Sequence, residues 1–162
     1  METMSISDAT VTLRSLPRRY REVVSGPVGD DAWDRLVRTI GHGERSALGW
    51  TRYATHLVMA LETAVLELSR TVRPTIDLAR LRQEGFEAGP TTVVEDVTAE
   101  LSSSVDRAVQ AIASRSREAL DRKILVDGKE VPARLVVDLF VREAADHIRD
   151  AAAALQAARD AS

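Results

Sequence analysis

The stretch Val136-Val137-Asp138-Leu139-Phe140-Val141-Arg142-Glu143-Ala144-Ala145-Asp146-His147-Ile148 decides how this chain is read. Val136, Phe140, Glu143 and His147 fall along one helical stripe, which continues into Ala151 and Ala154. Glu143 and His147 are four residues apart, so a helix stacks them one turn apart on a single face. Such a pair is common on solvated helices, where it is a weak surface contact. Here its neighbours are apolar. A half-buried carboxylate and imidazole need a partner or an ion.

Working outward, a second helical pattern carries Trp50, Ala54, Leu57, Leu61, Ala64 and Leu68 as a core stripe, with His56 at its edge. Ser46 is a suitable N-cap for it, and it runs to about Arg70, with Pro74 beyond. A first helix spans roughly Thr12 to Ser25 and stops at Gly26-Pro27. Trp33, Leu36, Val37 and Ile40 anchor the connection that follows, and Gly41-His42-Gly43 breaks it. Thr92-Val93-Val94-Glu95 has the form of a capping box that opens a third helix, running to about Arg115. Asp127-Gly128 marks a turn or tiny hairpin, and Pro132 suits the first turn of a fourth helix reaching about Ala158. Residues 75 to 89 read as either a short helix or a packed loop. The expected architecture is one all-α domain over residues 1–162, a four-helix bundle with a longer connection between helices two and three.

Composition narrows the function. The 162 residues are enough for a sizeable core. A net charge of −3 gives no electrostatic footprint for nucleic acid. No apolar run approaches the ~20 residues needed to span a bilayer, and the N-terminus lacks the pattern of a secretory signal. There is no cysteine, which excludes disulfides and thiolate metal sites and fits a reducing cytoplasm. Any protein-built metal site must therefore use histidine and carboxylate. In a bundle such sites form between facing helices. His56 could close the Glu143/His147 pair as a third ligand, leaving a fourth position open, as in catalytic zinc sites.

Leu16-Pro17-Arg18-Arg19-Tyr20-Arg21, Tyr53-Ala54-Thr55-His56-Leu57 and Val141-Arg142-Glu143-Ala144-Ala145-Asp146-His147 together resemble the DinB-like superfamily. That superfamily includes mycothiol-dependent maleylpyruvate isomerases and the S-transferases for mycothiol and bacillithiol. Many members use three histidines, one from the second helix and two spaced by four on the fourth. Glu143 departs from that version and is similar to the His/Glu/His version of the isomerase branch. The resemblance implies His56, Glu143 and His147 as ligands of a divalent metal, Zn²⁺ first and Ni²⁺ second.

It further implies an external low-molecular-weight thiol such as mycothiol, attacking an electrophilic small molecule in a cytoplasmic bacterial transferase or isomerase. A metal-dependent hydrolase, or a non-catalytic metal-binding or stress-response bundle, is the alternative. His42 and Arg82 are weaker catalytic candidates. Arg80 and Arg82 could grip a substrate carboxylate. Asp146 and Asp150 could orient His147, and Trp33 and Trp50 could wall a pocket. Val93, Val94, Val97, Leu101, Val105, Ala108, Val109 and Ile112 cover a wide arc of the third helix. Either a second copy in a homodimer or the 75–89 connection could bury it.

Overall fold

A computed structural model describes residues 3–24, 32–39, 43–70, 73–86 and 93–161. Among them the chain is mostly helical, 72%, with small sheets. Helix α1 (Ile6–Val24) starts earlier than the apolar period suggests. Ser5 is the reason: its Oγ accepts the Asp8 N–H at 3.0 Å, and its carbonyl accepts the Ala9 N–H. Leu13, Leu16, Tyr20 and Val24 form the buried face of α1. Strands β1 (Val37–Thr39) and β2 (Gly43–Arg45) make a short antiparallel pair, with Gly43 at a φ of +70° that suits glycine. Helix α2 (Ala47–Glu67) opens at Ser46, whose Oγ accepts the Gly49 N–H at 2.9 Å.

The stretch after α2 holds a two-residue strand, β3 (Thr75–Ile76), and a short helix, α3 (Leu78–Glu84), capped by Asp77. Helix α4 (Val94–Ala113) begins at Val93 without a side-chain cap; Thr92, the residue expected to cap it, lies outside the described residues. Strands β4 (Lys123–Val126) and β5 (Lys129–Pro132) lead into α5 (Ala133–Asp160).

The all-α expectation is therefore corrected. Besides the β1–β2 pair, β3 pairs parallel with β4, and β4 antiparallel with β5, in a three-stranded sheet. The hairpin forms because Asp127 and Gly128 both take positive φ, 50° and 81°, as its tight turn requires. Ile124 and Val126 then point one face of β4 into the core beside Ile76. Among the described residues there are also five helices rather than four, α3 being the extra one.

Helix α2 packs against α4 and α5, and α1 against α5 and α4. Trp50, Tyr53, Leu57, Leu101, Val105, Val136, Phe140 and Ala144 meet in the shared core. Tyr20, fully buried, donates its hydroxyl to the Ala144 carbonyl and ties α1 to α5. Val97, Leu101, Val105, Ala108, Val109 and Ile112 of α4 are buried within the one chain, so covering this arc takes no second copy. Val94 is only partly buried, and Val93 is half-exposed ahead of the helix. No helix among the described residues is long and apolar enough to cross a membrane.

Candidate functional site

Glu143 and His147 lie where the stripe on α5 places them, side chains 18% and 14% exposed. The Glu143 Oε1 to His147 Nε2 distance is 3.6 Å, a charge contact rather than a hydrogen bond. The other imidazole nitrogen, Nδ1, sits 2.7 Å from Asp150 Oδ2. A carboxylate there assigns the Nδ1 proton and turns Nε2 toward Glu143. Of the two residues flanking His147, then, Asp150 orients the imidazole and Asp146 is exposed.

Tyr53, one helical turn beyond Trp50 on α2, reaches the pair. Its hydroxyl donates to Glu143 Oε1 at 2.7 Å. Arg82 reaches it from α3, with Nε 3.2 Å from Oε1 and an Nη 3.4 Å from Oε2. The carboxylate thus accepts a two-pronged arginine and a phenol at once. Burial pushes the Glu143 carboxyl up, but His147, the Tyr53 hydroxyl and Arg82 outweigh it and hold it at about 2. Burial and the adjacent carboxylate push the Tyr53 phenol well above its ordinary range. For His147, burial works downward, and the nearby Glu143 carboxylate and the bond to Asp150 more than reverse it, so the imidazole is pushed up.

Aromatic rings enclose this cluster. Trp50 stacks on His147 with centroids 4.5 Å apart and planes 28° apart. Phe86, just past α3, stacks on Tyr53 at 4.6 Å and meets Trp50 edge-on at 4.8 Å. The Arg45 guanidinium lies over the outer face of Phe86, 4.2 Å from its centroid. Gly85 permits this closure. A Cβ there would stand 2.9 Å from the Tyr53 ring and 2.6 Å from the Leu81 carbonyl oxygen.

His56 is not gathered into this cluster. It is partly exposed and lines an adjoining cleft of about 890 Å³ between α2, α3 and the start of α4. Met59, Ala60, Ile76, Leu81 and Val97 supply that cleft's apolar wall. Arg80, also at the cleft, pairs with Glu84 at 2.8 Å. His42 lies outside the described residues. Trp50 is fully buried in the main core, where it stacks on His147, whereas Trp33 packs in a separate small cluster with Val24 and Ala47. Tyr53, Phe86 and Arg45 were not singled out from sequence as site residues. For Tyr53 a signal existed: it stands three residues after Trp50 on the same helix, so the two share a face.

Whether these residues fit a divalent metal can be judged from the donors. Oε1 of Glu143 and Nε2 of His147 are separated by nearly the edge of a tetrahedron with bonds of ~2.0–2.1 Å, about 3.3 Å. The carboxyl is ionised, and Asp150 holds the imidazole with Nε2 toward the partner. These two residues fit. Among the described residues, however, no three His, Asp or Glu side chains converge as a ready ligand set, His56 included. Comparison with protein-family models, with curated proteins and with solved structures finds no match.

Proposed function

We propose that the protein is a four-helix bundle of the DinB-like type, embellished by α3 and the small sheets, and a metal-dependent enzyme that uses an external low-molecular-weight thiol such as mycothiol. The observation that carries this reading is the Glu143–His147–Asp150 arrangement: an ionised carboxylate and an imidazole, donors facing each other, with the imidazole set by a second carboxylate. Glu143 and His147 would hold the ion, Zn²⁺ or Ni²⁺; His56, which lines the adjoining cleft on α2, is the third donor that the family resemblance implies. An ion held there would supply the Lewis acidity that lowers the pKa of a thiol.

The chain's own residues do the rest. Asp150 keeps the Nδ1 proton of His147 in place. Trp50 and Phe86 exclude water from one side of the pair. The cleft lined by His56 receives the electrophilic small molecule along its apolar wall. The chain has no cysteine of its own, so the nucleophilic sulfur must arrive as a co-substrate. The products are those of transfer or isomerisation.

A second reading draws on a different observation. Tyr53 and Arg82 already satisfy both oxygens of Glu143, which suits a non-catalytic bundle whose polar cluster is structural. Metal analysis of protein purified without chelator separates the two. The enzyme reading expects one ion per chain, lost in His147→Ala, and conjugation of a generic electrophile only with added thiol. Turnover that proceeds with water alone favours a hydrolase. Stoichiometric metal retained in the His56→Ala/His147→Ala double variant overturns the assignment of ligands.

A further inference from the structure

Helix α3 has no buried residue. It is held at its base, where the Asp127 carboxylate accepts the Leu78 N–H at 2.7 Å and the Ala79 N–H at 3.3 Å, and where Asp77 caps Arg80 N–H at 2.9 Å. At its other end Gly85 lies against the Tyr53 ring and near His56, an approach that a side chain would prevent. The helix is thereby pinned beside α2 with Arg82 aimed at Glu143. The Arg82 side chain is half-exposed, at 50%, yet its guanidinium engages both oxygens of a carboxylate that is only 18% exposed.

From this geometry we infer that Arg82 is a built-in competitor for the divalent ion: its guanidinium occupies the carboxylate that the ion must use, and it sets how tightly this chain binds metal. This inference rests on the reading of Glu143 and His147 as metal donors. A carboxylate held by a two-pronged guanidinium has its best lone pairs engaged. An entering cation must displace that fork, and its apparent affinity falls by the free energy of the pair that it breaks. When no ion is present, Arg82 adds to the Tyr53 hydroxyl and His147 in pairing the buried carboxylate.

Trp50 offers a direct readout, because it stacks on His147. Zn²⁺ is titrated into the full chain in a Trp33→Phe background, which leaves Trp50 as the single indole, and its emission is followed. Arg82→Ala is expected to bind Zn²⁺ about tenfold more tightly than the parent, the size expected for losing one partly exposed charge-assisted pair. Arg82→Lys, which keeps the charge but loses the fork, is expected between the two. Arg80→Ala, two residues before Arg82 on α3 and paired with Glu84, is expected to match the parent. Equal or weaker binding in Arg82→Ala, with the parent still binding, overturns the competition and leaves the metal assignment standing. No saturable response in either protein overturns both. An equal gain in Arg80→Ala reduces the effect to general charge and also overturns the inference.

Discussion

Replacing Glu143 by glutamine tests what holds the polar cluster together. The substitution keeps an oxygen for the Tyr53 hydroxyl and nearly the same volume, and removes the charge together with one of the two oxygens that Arg82 grips. In the native fold the carboxyl is held at about 2, against an ordinary value of 4.5. At ~1.4 kcal/mol per pH unit of displacement, the ionised form contributes about 3 kcal/mol. Glu143 is 18% exposed but its partner Arg82 is 50% exposed, so solvent screening makes this figure an upper bound. The sign follows from linkage. The folded value is depressed, so the contribution is fully present above the unfolded value and is lost as pH falls from there toward about 2. At about pH 3 it should have dropped to roughly 1–1.5 kcal/mol by the same relation. Urea denaturation of the native protein and of Glu143→Gln, near pH 7 and near pH 3, measures both differences. A cost that is the same at the two pH values, or below about 0.5 kcal/mol near neutrality, would refute the reasoning, because the cluster would then not depend on an ionised carboxylate.

Gly85→Ala should cost about 1–3 kcal/mol, because its Cβ would meet the Leu81 carbonyl at 2.6 Å and the Tyr53 ring at 2.9 Å; an unchanged melting temperature would show that α3 does not need this close approach. Tyr20→Phe removes the buried bond to the Ala144 carbonyl and should lower stability by about 1 kcal/mol or somewhat more, read as a lower urea midpoint at unchanged slope.

Long periodic segments were the legible part of this chain. The stripes of α2 and α5 are regular over several turns, and Ser46, Asp127-Gly128 and Pro132 punctuate the chain where the sequence pattern places them. Beyond the hairpin at Asp127-Gly128, the small sheets were not legible, for physical reasons. Thr75 and Ile76 form a strand of two residues, too short for any alternation, and they pair with Leu125 and Val126 across a distance in sequence that no local pattern encodes. The start of α1 was missed because Ser5 caps it ahead of the first apolar repeat.

At the site, a helical spacing of four brought Glu143 and His147 together, and Asp150, three residues on, joined them as an orienting carboxylate. Spacing along one helix could not say which face of α2 looks at α5. The core stripe on α2 turns Trp50 and Tyr53 inward and leaves His56 at the cleft. Arg82 was read as able to grip a carboxylate bidentately. It does so, but the carboxylate belongs to the chain itself.

The parallel ladder between β3 and β4 has a consequence for the order in which the molecule assembles. It and the bonds from Asp127 to the first residues of α3 close a loop whose ends lie 49 residues apart in the hydrogen bond to Leu78, with all of α4 inside it. Closing so long a loop carries an entropy cost that only later contacts return. The hydrophobic faces of α2, α4 and α5 must already be docked before Ile76 finds Val126. The base of α3, and with it the guanidinium over Glu143, is therefore among the last pieces of the fold to arrive and among the first to leave under denaturing stress.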